Sequence, residues 1–309
     1  MKKAPRVSVV LKRSSFRKWV EEEKDPRVRR LLDADDETVR RMKPGHREHA
    51  ETVEEVRAAL DDLGAIVQWH EHAHTFQVEG ACDLVVTVGG DGTLLAASHG
   101  IGPGVPLLGV NSAPTHSIGF FCAARKGGVR DALDRALSGA LKHTVLTRMR
   151  VERNHERLHE RVLNEALFCH QSPAATSRYI LRLSEGSKAL EHEEQKSSGI
   201  WVGPAAGSTA AQRSAGGRIL PLSSHKLQFV VREPYRVEGR EELTAALGLI
   251  DEGQVLELKS KMRYARLFLD GDHIVHDVTI GDVVTMRRSD EPLVVLGLSR
   301  NGRSGKKGA

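Results

Sequence analysis

The chain carries a short apolar run, Leu84-Val85-Val86-Thr87-Val88, that stops at Gly89-Gly90-Asp91-Gly92-Thr93 and resumes as Leu94-Leu95-Ala96-Ala97. An uncharged β-favouring run of this kind reads as a fully buried parallel strand. Thr93 reads as the hydroxyl cap of a following helix. Strand, glycine turn and helix start form a phosphate-holding arrangement in α/β proteins. Glycine lets main-chain N–H groups approach the anion, and the helix N-terminus adds partial positive charge. An aspartate at such a turn repels phosphate, so it has other work: taking a proton from a hydroxyl, or holding a metal ion that bridges to phosphate. The spacing is neither G-x-G-x-x-G nor G-x-x-x-x-G-K-[ST], so the usual dinucleotide and P-loop readings do not apply. A plain tight turn with an exposed aspartate is the competing reading.

A second glycine-rich stretch runs from Ser197 to Gly217. A strand over residues 200–202 meets a loop, then a small-residue helix that begins near Ser208 and stops at Gly216-Gly217. Small residues let a ligand or another backbone come close. Hydroxyls at Ser208, Thr209 and Ser214 can bond a sugar or a phosphate. Close helix packing explains the same composition.

Taken in order, Gly89-Gly90-Asp91-Gly92-Thr93, Gly109-Val110-Asn111 with Gly119-Phe120, Asn164-Glu165, and Gly207-Ser208-Thr209-Ala210 with Ser214-Ala215-Gly216-Gly217 resemble the NAD kinase family over about residues 80–290. Lipid kinases with a similar glycine motif place Asn-Glu directly after it, whereas here that pair lies far downstream. The resemblance implies a phosphotransferase with an N-terminal α/β domain and a C-terminal β-rich domain. It implies transfer of the terminal phosphoryl of ATP, with Mg²⁺, to the adenosine 2′-hydroxyl of NAD. On it, Asp91 is the general base, and Gly89, Gly90, Gly92 and Thr93 cradle the donor phosphates. Asn164 and Glu165 hold the adenosine portion of NAD, and Asp91, Gly92, Asn111, Thr209, Ala210 and Ser214 line the same nucleotide site. Arg178 and Lys196 fall near positions where the family carries a basic or imidazole side chain facing phosphate. Family members self-associate, which implies a homodimer or homotetramer. The chain departs from the common pattern at Ser198, Ala211 and Asp272 and in a longer loop after Asn111, all on the acceptor side. A kinase of another hydroxyl, lipid or sugar, and a non-catalytic NAD(P) sensor are the alternative functions.

Elements must position these residues. Residues 6–11 read as the first strand, and 14–42 as a charged helical stretch interrupted at Asp25-Pro26 and broken at Pro44-Gly45. Val53, Val56, Ala59, Leu60 and Leu63 form a helical stripe closed by Gly64. Strands over 65–69, 84–88 and 105–110 and a helix over 127–140 complete an open parallel α/β sheet. After Leu141 short alternating runs take over, with Asn154-His155-Glu156 as a hairpin tip, as antiparallel architecture requires. The expected fold is therefore an N-terminal open parallel α/β sheet domain over residues 1–144, a mostly antiparallel β domain over 145–295, and a tail over 296–309 with a disordered end. His70, His72 and His74 alternate and would share a strand face, but no carboxylate or cysteine completes a metal set. Trp19, Trp69 and Trp201 are expected in the core.

Bulk composition narrows the class. The chain has 309 residues, a net charge of +5, 28% charged and 39% apolar residues, with a pI near 9.1. That modest positive balance suits a small anionic substrate. Aromatics at 4%, with no basic run among them, argue against a nucleic-acid stacking surface. Cys82, Cys122 and Cys169 are widely spaced and contain no C-x-x-C, so they read as reduced and mostly buried. No apolar run approaches the ~20 residues that span a bilayer, and the basic N-terminus lacks a signal-peptide core. A cytoplasmic location without membrane partners is expected.

Overall fold

A computed structural model describes residues 3–235 and 245–298. The chain begins with β1 (Arg6–Leu11), a π-helical turn at Arg17–Glu22, α1 (Pro26–Asp33) and α2 (Met42–Asp62). Next come β2 (Ile66–His70), β3 (Leu84–Gly89), α3 (Asp91–Ser98), β4 (Pro106–Asn111), β5 (Cys122–Arg125), α4 (Val129–Leu137) and β6 (His143–Leu146). Strands then dominate: β7 (Met149–Arg153), β8 (Glu156–Val162), β9 (Ala166–His170), β10 (Ser177–Glu185), β11 (Lys188–Ser197) and β12 (Ile200–Pro204). After a short helix, α5 (Ala211–Ser214), follow β13 (Leu227–Val231), β14 (Leu247–Ile250), β15 (Gln254–Ser260), β16 (Ala265–Leu269), β17 (Ile274–Val278), β18 (Val283–Arg288) and β19 (Leu293–Leu296). The chain divides into two compact units, residues 1–144 with those from 293 on, and residues 145–292.

The first unit is built on a mostly parallel sheet of order β2-β1-β3-β4-β19-β6, with β5 also pairing β4. β1 pairs in parallel with both β2 and β3. The chain steps one way from β1 to β2 and the other way to β3 and β4, so a topological switch point lies between β1 and β3. In open α/β sheets ligands bind outside the carboxyl ends of the strands at such a point. β3 is buried along its whole length. On one face Val7, Val9, Leu84, Val86, Val88, Leu108 and Val110 pack with Val56, Ala59 and Leu60 of α2 and Val129 and Leu133 of α4. α3 packs along β3, β4 and β1. The charge-free run 84–88 is what a strand covered on both faces needs.

The second unit has two six-stranded sheets, β11-β10-β15-β18-β7-β8 and β14-β13-β12-β9-β16-β17. All their described pairings are antiparallel. One apolar cluster draws on both sheets, from Met149 and Tyr179 to Phe168, Phe229 and Leu267. Phe168 and Tyr179 meet edge to face at 5.5 Å. At the β7–β8 tip Asn154 and His155 have φ of 51° and 70°, the doubly left-handed geometry that two-residue hairpins demand.

Five expectations change. Pro44-Gly45 does not break the helix, because α2 starts at Met42. Pro44 therefore sits in the first turn, where its missing N–H has no intrahelical partner to lose. Residues 293–295, expected in the second domain, fall with the first unit, as does residue 296, expected in the tail. β19 pairs in parallel with Pro106 and Leu107 of β4, covering the stretch of edge that β5, paired only at Gly109–Asn111, leaves bare. β2 ends at His70 and a 3-10 turn spans Ala73–Thr75, so the three histidines share no strand face. Trp19 is 38% exposed, and all three cysteines are free and only half-buried. The tail residues 299–309 lie outside the described residues, and no described helix is long and apolar enough to cross a membrane.

Replacing Pro44 by Ala should shift the urea-unfolding free energy by less than about 0.5 kcal/mol. Ala59→Pro, inside α2 near its C-terminal end and 3% exposed, should cost about 3 kcal/mol or more.

Candidate active site

Gly89 ends β3 and Gly90 caps α3 in extended conformation, with φ −109° and no side-chain cap. Thr93 is therefore not the cap but lies inside the helix, 8% exposed. The strand runs straight into the helix, so the hydroxyl turns back under the glycine, and a Cβ on Gly89 would collide with Thr93 Oγ1. Gly92 is exposed, and a Cβ there would meet nothing within 4 Å. Neither packing nor a positive φ demands glycine at 92. Its small size leaves the helix N-terminus open to a ligand.

Asp91, the first residue of α3, is half-buried and tied to the loop after β4. Phe120 N–H donates to Asp91 Oδ2 at 2.9 Å and Phe121 N–H to Oδ1 at 2.8 Å. Asn111 clasps the same loop. Its Nδ2 donates to Ser117 O at 3.0 Å, and its Oδ1 accepts from Ala113 N at 3.3 Å. Gly119, at φ +64°, lies so close to Asn111 that a Cβ would strike its side chain. Ser117 Oγ faces Gly90. Asn111, His116, Ser117, Gly119, Cys122 and Arg125 help line a cavity of about 510 Å³. Burial, and then the Asp91 charge, push the Cys122 thiol up to about 12, so it stays protonated.

The second unit holds the other constellation. Asp270, at φ 51°, accepts three successive amides: Leu163 N at 2.7 Å, Asn164 N at 2.7 Å and Glu165 N at 3.0 Å. Asn164 O accepts from Gln212 Nε2 at 3.2 Å. Gln228 Nε2 donates to Gln212 Oε1 at 3.0 Å, and Gln228 Oε1 accepts from Arg218 N at 2.7 Å. Gly203 and Gly207 pack so tightly on Asn164 that a Cβ on either would run into its carbonyl oxygen. The backbone here is fully held, while Asn164 Oδ1 and Glu165 Oε2 are buried without a hydrogen-bond partner among the described residues. Burial, reinforced by Asp270, pushes the Glu165 carboxyl up to about 8. At neutral pH it is mostly a protonated acid that can donate as well as accept.

Arg178 and Lys196 face each other across β10 and β11. Both are exposed. Glu194, bonded to Lys261 at 2.6 Å, is held below the usual carboxylate range by Lys261 first, with Lys196 and Arg178 adding to it. Like charges directly opposed cost stability, which an anion would relieve. Thr209 ends a 3-10 turn, Ala205–Thr209, and Ala210 and Ser214 bracket α5. Ser208 is unavailable: fully buried, it donates to Ala205 O and accepts from Leu220 N. Gly89, Gly90, Asp91, Gly92, Thr93 and Asn111 thus lie together in the first unit. Asn164, Glu165 and the turn at 205–214 lie together in the second. Asp270, Ser117 and Gln212 are members that residue type alone did not expose. Among the described residues no three His, Cys, Asp or Glu side chains gather as metal ligands.

A model of the ATP-NAD kinase N-terminal domain matches residues 10–140. A probable NADH kinase of Oryza sativa (subsp. japonica) is 36% identical over 236 residues, covering 71% of this chain and 72% of that protein. The chain belongs to the NAD kinase family. A more distant relative, an NAD kinase of Acidithiobacillus ferrooxidans, is 27% identical over 217 residues, covering 69% of this chain and 70% of that one. In fold the chain matches a crystal structure of an NAD kinase from Archaeoglobus fulgidus in complex with ATP, with a TM-score of 0.66, 19% identity and 96% of each chain covered. As a member of the NAD kinase family the chain is a phosphotransferase.

Two outcomes test this geometry. Folded Glu165 titrates near 8 against an ordinary value of 4.5, so it retains a proton that the unfolded chain has lost. Its contribution to stability therefore falls as pH rises from about 4.5 to about 8. Glu165→Gln should match the parent in thermal unfolding at pH 4 and exceed it by upward of about 4 °C at pH 9. Gly207→Ala should lower stability by about 1–3 kcal/mol through overpacking against Asn164, read by urea unfolding.

Proposed function

We propose that the chain transfers the terminal phosphoryl of ATP to the adenosine 2′-hydroxyl of NAD, yielding NADP and ADP. The observation that carries this reading is the pair Asn164–Glu165, whose buried Oδ1 and Oε2 have no partner among the described residues on a backbone held by Asp270. Buried polar atoms are normally satisfied, so this pair is matched to a ligand that supplies donors and acceptors. A protonated carboxyl beside an amide oxygen suits a nucleoside with hydroxyl and amino groups. The order of motifs and the family membership support the same acceptor.

Asp91 is the proposed base. Its carboxylate, oriented by the Phe120 and Phe121 amides, keeps lone pairs free for the hydroxyl proton. As that proton leaves, the hydroxyl oxygen bonds the terminal phosphorus, and the bond from phosphorus to the ADP oxygen breaks. Gly90 and Gly92 at the start of α3 present main-chain amides to the donor phosphates, with Gly89 and Thr93 shaping the turn beneath them. Asn111 orders the loop beside them, and Arg178 and Lys196 offer positive charge to phosphate. Thr209, Ala210 and Ser214 line the nucleotide side of the second unit. Catalysis in phosphoryl transfer is chiefly such positioning and charge stabilisation. The single carboxylate at the turn suits Mg²⁺, which is typically held by one or two carboxylates plus substrate phosphates and water. When bound, Mg²⁺ neutralises charge on the donor phosphates, with Asp91 the residue able to reach it. A cytoplasmic homodimer or homotetramer completes the proposal.

A second reading, with NADH as the acceptor, is favoured by the 36% identical relative named as a probable NADH kinase. Both are tested by incubating the protein with ATP and Mg²⁺ and either dinucleotide. NADP formation from NAD is the expected result. Turnover of NADH alone selects the second reading, and phosphorylation of neither removes both. Asp91→Asn should lower kcat by roughly 10²–10⁴-fold while NAD still binds. An equally active variant would remove Asp91 from the role of base.

A further inference from the structure

Helix α2 reaches the candidate turn from behind. His49, 7% exposed, places Nδ1 2.8 Å from Ser112 Oγ. One turn on, Thr52 shares its hydroxyl proton between Glu48 O at 2.9 Å and Ser112 O at 3.2 Å. Ser112 N–H donates to Gly89 O at 3.0 Å. Every polar group of the fully buried Ser112 is thereby engaged, two of them by α2 and one by the last residue of β3. Beside it, Lys12 N–H donates to Val88 O at 2.9 Å. His49 therefore ties α2 to the carboxyl end of β4, next to the strand that carries Gly89.

The consequence lies in the Gly89–Gly90 peptide. No described peptide is cis, and a trans peptide points its N–H opposite to its C=O. Holding Gly89 O toward Ser112 aims the Gly90 amide away from β4. We infer that His49 is a positioning residue for phosphoryl transfer, acting through Ser112 to set the Gly89–Gly90 peptide that grips the donor phosphates. This rests on the phosphotransfer reading above. Burial, with Lys12 and His46 adding to it, pushes His49 down to about 4. The ring thus stays neutral in the working range.

An ordinary core histidine would be replaceable by either amide isostere alike, and that separates the two roles. Asn at 49 keeps a polar atom where Nδ1 stands, and Gln keeps one where Nε2 stands. The full-length His49→Asn, His49→Gln and Ser112→Ala variants are to be compared for kcat, for KM toward ATP and toward NAD, and for exchange of the Ser112 amide hydrogen. His49→Asn should retain kcat/KM for ATP within about 3-fold. The other two should lose about 10–100-fold, with KM for NAD changed less than about 3-fold. Equal loss in His49→Asn and His49→Gln, or equal loss toward both substrates, overturns the inference. Should the wild-type protein phosphorylate no dinucleotide, the functional reading fails and exchange decides the positioning. Protection of the Ser112 amide kept in His49→Asn and lost in His49→Gln upholds it, and equal protection in both overturns it.

Discussion

The bond pair from the Phe120 and Phe121 amides to the Asp91 carboxylate is the constraint from which the first unit's site follows. A hydrogen bond to a charged group contributes about 1.5–3 kcal/mol. Two of them hold a loop that otherwise exposes Thr115, His116 and Ile118. Asn111 and the left-handed turn at Gly119 complete the same closure. The second unit repeats the device, with Asp270 accepting three consecutive amides across residues 163–165. In both places a carboxylate serves as the acceptor that an irregular backbone lacks. Loops built this way adopt one conformation without a ladder of strand or helix bonds.

Satisfaction of the polar groups packed around Asn164 is what sets its pair apart, although single buried atoms of His70, Arg150, Glu160, Gln195, Arg266 and His276 also lack a hydrogen-bond partner among the described residues. Gln212 and Gln228 bond each other and the main chain at Asn164 and Arg218. Ser197 bonds Tyr179 and Gly199, and Asn154 bonds Asp282. Against that background Asn164 Oδ1 and Glu165 Oε2 stand without partners among the described residues. An unmade bond at a buried group costs about 1–3 kcal/mol, and the apolar cluster shared by the two antiparallel sheets is large enough to bear it.

Much of the architecture could be read from periodicity. The charge-free run 84–88, the stripe Val53, Val56, Ala59, Leu60 and the alternation of Ser177–Glu185 each carry the period of the element they form, because burial on one face selects residues at that period. The glycine turn was legible too, since glycine and aspartate there have few uses. Pro44 misled because its effect depends on whether it falls in the first turn or later, and only the start of α2 decides that. Residues 293–296 misled because a parallel partner more than a hundred residues away leaves no local mark on four apolar residues.

The amino-acid order by itself determined the two textures of the chain and the passage from strand to helix at 84–97, because these depend on residue type and near-neighbour spacing, while the pair 164–165 stood out only through the resemblance to the family. Tertiary structure alone decided that Asp91 holds the 120–121 amides, that Asp270 holds those of 163–165, and that His49 and Thr52 converge on Ser112. These are long-range bonds, and all but that of His49 to the Ser112 hydroxyl join a side chain to a main-chain group. A carboxylate or imidazole looks the same in sequence whether it faces solvent or a buried amide, and only the packing of strand ends brings the partners within hydrogen-bond reach.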